Sequence, residues 1–181
     1  MVRLAPAETA IVACFADAGV LDQWPVPGGA FGARIAPDEL WLIGPRSGRG
    51  GLLQGAQAQR ERGDPGGLVV DQTDGWTVWS VCGPSARVVL GRLCMAQLPT
   101  GGPAFLQGAV AGVAGKILLD GDSLYVLVPS PVGHHFRDRV LDACADLHPQ
   151  VGEALPFAAP EPADARLPGV VRAVNRAPDP K

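Results

Sequence analysis

The sequence predicts an α+β domain in which helices pack on an antiparallel sheet. Two stretches rich in β-branched and aromatic residues each lead into a helical stretch, at 68–98 and at 109–148. The chain has 181 residues, of which 47% are hydrophobic and 18% charged, and one domain of this size buries a substantial core. We predict this domain at residues 1–148 and a tail rich in proline and alanine at 149–181.

The first part of the chain changes from a helical to an extended pattern. Apolar side chains at helical spacing predict a short helix at Ala7–Ala18, and a loop rich in proline and glycine follows at 23–34. Two short strands joined by a turn at Pro37-Asp38 come next. Residues 46–67 have glycine-rich ends around a polar middle, which predicts a helix there.

The central block contains strands at 68–72 and 74–81, with a turn signal at Asp74-Gly75. Helical spacing takes over after Pro84 and places Arg87 and Arg92 on the solvent face. The opposite face of this helix is predicted to be buried and carries Ala86, Val89, Leu90 and Leu93.

A second unit repeats this order of elements. Strands at 109–119 and 124–128 flank a DGDS turn, and Ser130 is then predicted to cap a helix with Pro131 at its first position. The predicted buried face of that helix carries Phe136, Val140, Cys144 and Leu147.

The tail from residue 149 onward has no periodicity and is predicted to be extended or disordered. An alternative is an arm that lies on a partner through Phe157, Val170 and Val171.

Composition excludes several classes of protein. The net charge of −3 without a basic stripe argues against nucleic-acid binding. Apolar runs end before the roughly 18 residues of a membrane span, and no signal peptide is evident, which indicates a cytoplasmic protein. The cysteines are far apart and lie among apolar neighbours, which predicts buried, reduced thiols at Cys14, Cys82, Cys94 and Cys144.

Two motifs suggest ligand binding but are incomplete. Gly44–Gly51 contains two arginines after a strand, but it lacks the lysine of a P-loop and the GxGxxG spacing, so we favour a mobile loop over a phosphate site. His134 and His135 project about 100° apart on a helix, and the only other histidine is His148. A solvated helix start is therefore favoured over a metal site.

Two further candidates are catalytic. Cys82 precedes a Gly-Pro turn, but no histidine lies near it in the sequence, so a structural thiol is favoured over a nucleophile. Asp71 and Asp74 are a candidate acid–base pair, although aspartate is also a preferred turn residue. We therefore predict no catalytic, cofactor-binding or metal-binding residue in this chain. The four tryptophans are candidates for either core or interface positions: Trp24, Trp41, Trp76 and Trp79.

A family resemblance connects these elements. The sequence DQTDG at 71–75, followed by a strand and then GPSA at 83–86 with Leu90, resembles the block D-x-S-x-G … G-P-x-A-x-x-x-L of the glycine-cleavage T-protein superfamily. It is similar, more closely, to the gamma subunit of heterotetrameric sarcosine oxidase. APDELWLIGP at 36–45 and the second hairpin with its final helix resemble further parts of that family, so the similarity covers about residues 35–145.

The resemblance implies a fold like the N-terminal domain of the folate-binding aminomethyltransferase. It implies a non-catalytic gamma subunit that packs on a large alpha subunit beside a flavin-bearing beta subunit, with a small delta subunit left open. FAD, FMN, NAD and tetrahydrofolate are then expected in the partner subunits, where sarcosine is demethylated to glycine and its one-carbon unit passes to tetrahydrofolate.

Departures from the family pattern bear on folate chemistry. Gln97 stands where the T-protein has its functional aspartate, and an amide cannot carry the ionised carboxylate. Cys94-Met95-Ala96-Gln97 replaces the gamma family's Cys-Pro-x-Asp, and Ser130-Pro131 replaces its Arg-Ser turn. A stand-alone, folate-binding aminomethyltransferase-like protein remains the alternative, and a ligand-binding module that uses the loop at 46–51 is a third.

Overall fold

The computed structural model describes residues 1–99, 103–120, 123–159 and 170–172. In this part of the chain, strands and helices form the predicted α+β domain. The helices are α1 (Ala18–Asp22), α2 (Arg49–Gly63), α3 (Ala86–Leu93) and α4 (Gly133–Ala143). The strands are β1 (Arg3–Phe15), β2 (Phe31–Ala36), β3 (Glu39–Pro45), β4 (Leu68–Asp71), β5 (Trp76–Cys82), β6 (Ala104–Val110), β7 (Val113–Asp120), β8 (Ser123–Pro129), β9 (Gln150–Val151), β10 (Leu155–Pro156) and β11 (Val170–Arg172).

All of these strands belong to one sheet that is mostly antiparallel. Its main path runs β11-β2-β3-β1-β5-β8-β7-β6, while β4, β9 and β10 pair only with β1. The two ends of this path approach each other, because β11 lies near β6 and the Gln107 amide on β6 donates to the Ile35 carbonyl on β2 at 2.8 Å. The sheet is therefore a nearly closed barrel, with one surface facing inward and one facing outward.

Strand β1 corrects the predicted helix at Ala7–Ala18. It pairs with β3 along one edge and with β4 and β5 along the other, so it is central to the sheet. Both of its faces are buried: Ile11 and Ala13 point into the barrel, while Val12 and Cys14 point outward under helices. A strand that is buried on both faces has a continuous apolar run without period-two alternation, and this pattern resembles that of a buried helix.

Apolar side chains form three clusters around this sheet. The inner core fills the barrel with side chains such as Phe31, Ile43, Phe105 and Leu118. Outside the barrel, α1 and α2 cover β1 and β3 through Leu21 and other residues. The remaining strands are covered by α3 and α4. Helices thus pack against two separate regions of the outer surface of the sheet.

The two predicted strand-to-helix units are present. The four residues predicted for the buried face of α3 are all buried. Of those predicted for the buried face of α4, Phe136, Val140 and Cys144 are buried, whereas Leu147 lies beyond the end of the helix and is only partly buried. The predicted strand at 109–119 is wrong, however, because a tight turn at Ala111-Gly112, both at positive φ, separates β6 from β7.

The capping prediction is also wrong in detail. Ser130 and Pro131 form a 3-10 turn ahead of α4, and the Ser130 hydroxyl donates to the Asp74 carbonyl at 2.9 Å instead of capping the helix. This bond ties the start of the α4 segment to the turn before β5.

Part of the predicted tail packs on the domain. Strands β9 and β10 pair in parallel with β1, at Leu4 and Ala7 respectively. Phe157 is 5% exposed and its ring lies 4.8 Å from that of Tyr125, so this side chain packs within the domain, and not on an extended arm as the alternative for the tail has it. Val170 and Val171 are described only by their backbone, which pairs with β2. The rest of the tail, residues 160–169 and 173–181, lies outside the described residues.

Candidate functional site

Two of the candidate motifs come together in one charged cluster. The predicted mobile loop at Gly44–Gly51 is instead the end of β3, a 3-10 turn and the first turn of α2, so the loop prediction is wrong. This connection places Arg46 and Arg49 beside the turn that follows β4, where Asp71 and Asp74 lie. We call these four side chains the Arg–Asp cluster.

Each carboxylate in the cluster is paired with a guanidinium. Arg49 Nε donates to Asp71 at 2.7 Å and its Nη2 lies 3.2 Å from Asp74, while Arg46 donates to Asp74 at 2.9 Å. The Arg46 hydrogen bond holds the pKa of Asp74 below its usual value. Burial alone raises the pKa of Asp71, but hydrogen bonds from Thr73 and Arg49 outweigh this effect and lower it.

This geometry does not support acid–base catalysis by the two aspartates. Both are ionised at neutral pH and lie within arginine hydrogen bonds, so neither has a proton to donate near pH 7. Asp71 also accepts from the Thr73 backbone N–H at 3.0 Å, which is the turn role that the sequence predicted. Thr73 in turn is buried, and its hydroxyl bonds the N–H and the carbonyl of Ile11 on β1. The Arg–Asp cluster therefore anchors the β4–β5 connection to α2 and β1.

A small cavity of about 170 Å³ lies next to the start of α2. Its lining contains glycine, proline, alanine and a leucine, and neither Arg46 nor Arg49 contributes to it. The lining residues are Pro27, Gly28, Gly29, Ala30, Gly44, Pro45, Gly48, Gly51 and Leu52. None of these lining residues has a charged side chain, so the cavity offers no cationic group to a phosphate.

The other candidates stay apart from this cluster. His134 and His135 lie exposed in the first turn of α4, as predicted, and His135 Nε2 is 3.3 Å from the Ala111 carbonyl oxygen. Among the described residues, no group of three His, Cys, Asp or Glu side chains is arranged to hold a metal ion. Gln97 is exposed, four residues beyond the end of α3. Within the same ranges, no helix is long and apolar enough to cross a membrane.

The cysteines are free thiols, and Cys14, Cys94 and Cys144 are buried, as predicted, whereas the predicted burial of Cys82 is wrong. Burial raises the pKa of Cys14 to about 12 and also raises that of Cys144, which keeps both thiols protonated and unreactive near neutral pH. Cys82 is only partly buried, and its Sγ lies 3.8 Å from the Arg3 carbonyl oxygen. The favoured interpretation of Cys82 as a structural thiol agrees with this contact.

A cluster at one end of the barrel is not predicted by the sequence. We call it the aromatic mouth and define it as Glu39, Trp41, Trp76 and Lys116. The two indole rings are in edge contact, with centroids 4.9 Å apart and planes at 69°. Lys116 Nζ lies 4.5 Å from the centroid of each ring. The Trp41 indole N–H donates to Glu39 at 2.6 Å. These residues come from three strands that are far apart in the sequence, and only long-range strand pairing brings them together. No local sequence pattern predicts such a cluster.

The tryptophans divide between core and surface. Trp24, Trp41 and Trp79 are buried, and the Trp79 indole N–H donates to the Gly133 carbonyl at 3.0 Å. Trp76 is partly exposed at the aromatic mouth. Three of the four are therefore core residues, and Trp76 remains accessible to a ligand or partner.

No family model matches the sequence, and no curated protein matches it. The structure is similar to a chain of heterotetrameric sarcosine oxidase from Corynebacterium sp. U-96, solved in complex with pyrrole 2-carboxylate. The TM-score is 0.69 at 21% identity, over 80% of this chain and 84% of that one. It is also similar to the glycine cleavage system aminomethyltransferase T from Bartonella henselae, with a TM-score of 0.53 at 14% identity. That match covers 83% of this chain but only 47% of the transferase, so this chain spans about half the transferase.

These likenesses establish the fold. The fold predicted from the resemblance, that of the aminomethyltransferase-like domains of sarcosine oxidase and the T-protein, is confirmed.

Proposed function

We propose that this chain is a non-catalytic, gamma-type subunit of a cytoplasmic, heterotetrameric, flavin-dependent sarcosine oxidase. The observation that supports this most is the shared fold with a chain of such an oxidase, which extends over most of both chains. The match to the aminomethyltransferase, in contrast, covers less than half of that protein.

The side chains of this domain support a role in assembly. The Arg–Asp cluster joins β1, α2 and the β4–β5 turn through internal ion pairs, and its carboxylates are held ionised. Gln97, at the position of the T-protein aspartate, is exposed and carries no charge. The two aspartates thus stabilise the domain through their arginine pairs, and Gln97 offers no carboxylate, which supports the proposal that the chemistry belongs to other chains.

The proposal assigns the chemistry to partner chains. FAD, FMN, NAD and tetrahydrofolate would be bound by a large alpha subunit and a beta subunit, with a small delta subunit as a further partner. The complex would oxidise the N-methyl group of sarcosine to give glycine and a one-carbon unit for tetrahydrofolate. In this arrangement the domain described here contributes a rigid surface to the assembly.

The test is purification of the tagged full chain from its own host under gentle conditions. We expect larger chains to elute with it, together with visible flavin absorbance and sarcosine-dependent reduction of that flavin. A colourless protein that elutes alone would contradict the proposal.

The alternative, a stand-alone folate-binding aminomethyltransferase-like protein, draws on the T-protein likeness. Titration of the isolated chain with tetrahydrofolate, followed by quenching of tryptophan fluorescence, tests it. Saturable quenching by a chain that elutes alone would favour this alternative over the subunit.

A further inference from the structure

The aromatic mouth contains a cation whose burial the fold compensates only in part. Lys116 is half-buried, and within the part of the chain that the structure describes its ammonium forms no ion pair. Its nearest charged influence is Glu39, whose carboxylate already accepts the short indole hydrogen bond from Trp41. Burial lowers the pKa of Lys116, and Glu39 only partly opposes this effect. The ammonium is thus held by two indole faces, with Glu39 close enough to act on its charge but without a direct ion pair among the described residues.

The choice of lysine at this position is notable in this chain. The sequence contains 15 basic residues, and only Lys116 and Lys181 are lysines. Other described cations, such as Arg49 and Arg92, form hydrogen-bonded pairs with aspartates inside the chain. An ammonium is a compact charge with three donors, and the faces of two rings satisfy its charge only in part.

The surroundings of this cation are apolar. Trp76 and Phe15 are partly buried and pack at the edge of the inner core. Leu68 lies directly opposite Phe15 across the β1–β4 pair, on the same face of the sheet, and is 58% exposed. This end of the barrel therefore combines one ammonium that has no direct ion pair among the described residues with accessible aromatic and aliphatic surface.

We propose that the aromatic mouth is a binding site for a carboxylate attached to an apolar or aromatic body. The carboxylate would accept hydrogen bonds from the Lys116 ammonium, and the body would pack against the exposed parts of Trp76 and Leu68. This chemistry has two sources: a free small carboxylate, or an acidic side chain on an apolar segment of a partner chain. A charge-assisted bond at a half-buried site is stronger than one in open solvent, which favours such a ligand over a neutral one.

The experiment exploits the small number of amines. Reductive methylation of the full chain with ¹³C-formaldehyde labels the N-terminus, Lys116 and Lys181, and a Lys116→Met variant identifies the Lys116 resonance. We expect phenylacetate to shift that resonance saturably, while 2-phenylethanol, which lacks the charge, binds about fivefold more weakly or not at all. The Lys181 resonance serves as the internal control for nonspecific ionic effects.

A Trp76→Leu variant tests the aromatic part of the site. We expect it to weaken phenylacetate binding about threefold or more while its circular dichroism stays that of the parent chain. A Lys116 resonance that shifts only linearly with phenylacetate, or that responds equally to the alcohol, would overturn the proposal.

The source of the carboxylate is decided in the assembled state. Phenylacetate binding that persists in a purified complex assigns the site to a free carboxylate. Two observations together would assign the site to a partner's acidic side chain. The complex would no longer bind phenylacetate, and its Lys116 resonance would already differ from that of the isolated chain before phenylacetate is added. If the chain elutes alone, the subunit proposal fails, while saturable binding by the isolated chain still supports a site for a free carboxylate.

Discussion

Phe157 provides a direct test of whether the segment after residue 148 belongs to the folded domain. Its side chain is 5% exposed, packs against Tyr125 and joins the inner core, and the Tyr125 hydroxyl accepts from the next backbone N–H at 3.3 Å. Phe157→Ala removes this ring without altering the charge. It also leaves the pairing of β9 and β10 with β1 intact.

The loss of stability expected for Phe157→Ala comes from the burial of this ring. Truncation of a buried phenylalanine to alanine lowers the free energy of unfolding by about 3–5 kcal/mol. Phe157 lies on a short segment held by two strands of two residues each, so we expect a value near the lower limit, about 3 kcal/mol. If the segment after residue 148 detaches as a unit, the loss of stability in Phe157→Ala cannot exceed the free energy with which that whole segment packs on the domain.

Urea denaturation followed by tryptophan fluorescence measures this cost. The matched control is Val151→Ala, which truncates an apolar side chain that is 50% exposed in the same segment, and we expect a change within about 0.5 kcal/mol. A chain ending at residue 148 gives the cost of removing the whole segment. A loss below about 1 kcal/mol for Phe157→Ala would refute the inference that this ring is part of the core.

Three further predictions concern single side chains. Thr73→Val keeps the shape of the side chain but leaves the buried N–H of Ile11 without its hydroxyl partner. It should therefore lower the free energy of unfolding, measured by urea denaturation, by about 1–3 kcal/mol. Thr73→Ser retains the hydroxyl and should recover most of this loss. The lowered pKa of Asp71 means that its stabilisation is present above the unfolded value of 3.8 and is lost as the pH falls through the folded pKa. As the pH falls through this range, Asp71→Asn should therefore lose less stability than the parent chain. If the variant and the parent chain show the same dependence of stability on pH, the ion pairing of Asp71 is contradicted. Gly133→Ala would place a methyl group 2.7 Å from a threonine hydroxyl on β5, so it should lower the melting temperature. Gly91→Ala in α3 is the control, because a methyl group there meets no atom within 4 Å, and it should raise the melting temperature slightly.

The success of the sequence predictions depended on how many faces of an element are buried. Helix α3 has a buried stripe that includes Val89 and Leu90 and an exposed face that carries Val88, so its period is visible in the sequence. Strand β1 is buried on both faces, and its run of small and β-branched residues carries no period of two. Its two rows of neighbours come from distant parts of the chain, which a local window does not contain.

The same limit explains the Arg–Asp cluster. In the sequence, Gly44–Gly51 and the Asp71–Asp74 turn are separate motifs, one a candidate for binding anions and the other for proton transfer. Arg49 and Asp71 are 22 positions apart, and they meet because β3 and β4 pair with opposite edges of β1 while α2 crosses between them. Once paired, the arginines no longer favour a phosphate and the aspartates no longer hold a proton, so one set of contacts removes both hypotheses.

Lys116 shows the opposite outcome, in which the fold adds chemistry that the sequence does not suggest. In the sequence it is a single lysine within an apolar strand, and its neighbours Gly115 and Ile117 give no indication of a site. The barrel places its ammonium against indole rings from two other strands, at a position where its charge is only partly compensated. Arginines that are hydrogen-bonded to aspartates contribute mainly to stability, whereas a half-buried ammonium without a direct ion pair retains donors for a carboxylate. We therefore expect the aromatic mouth, and not the Arg–Asp cluster, to respond to ligands.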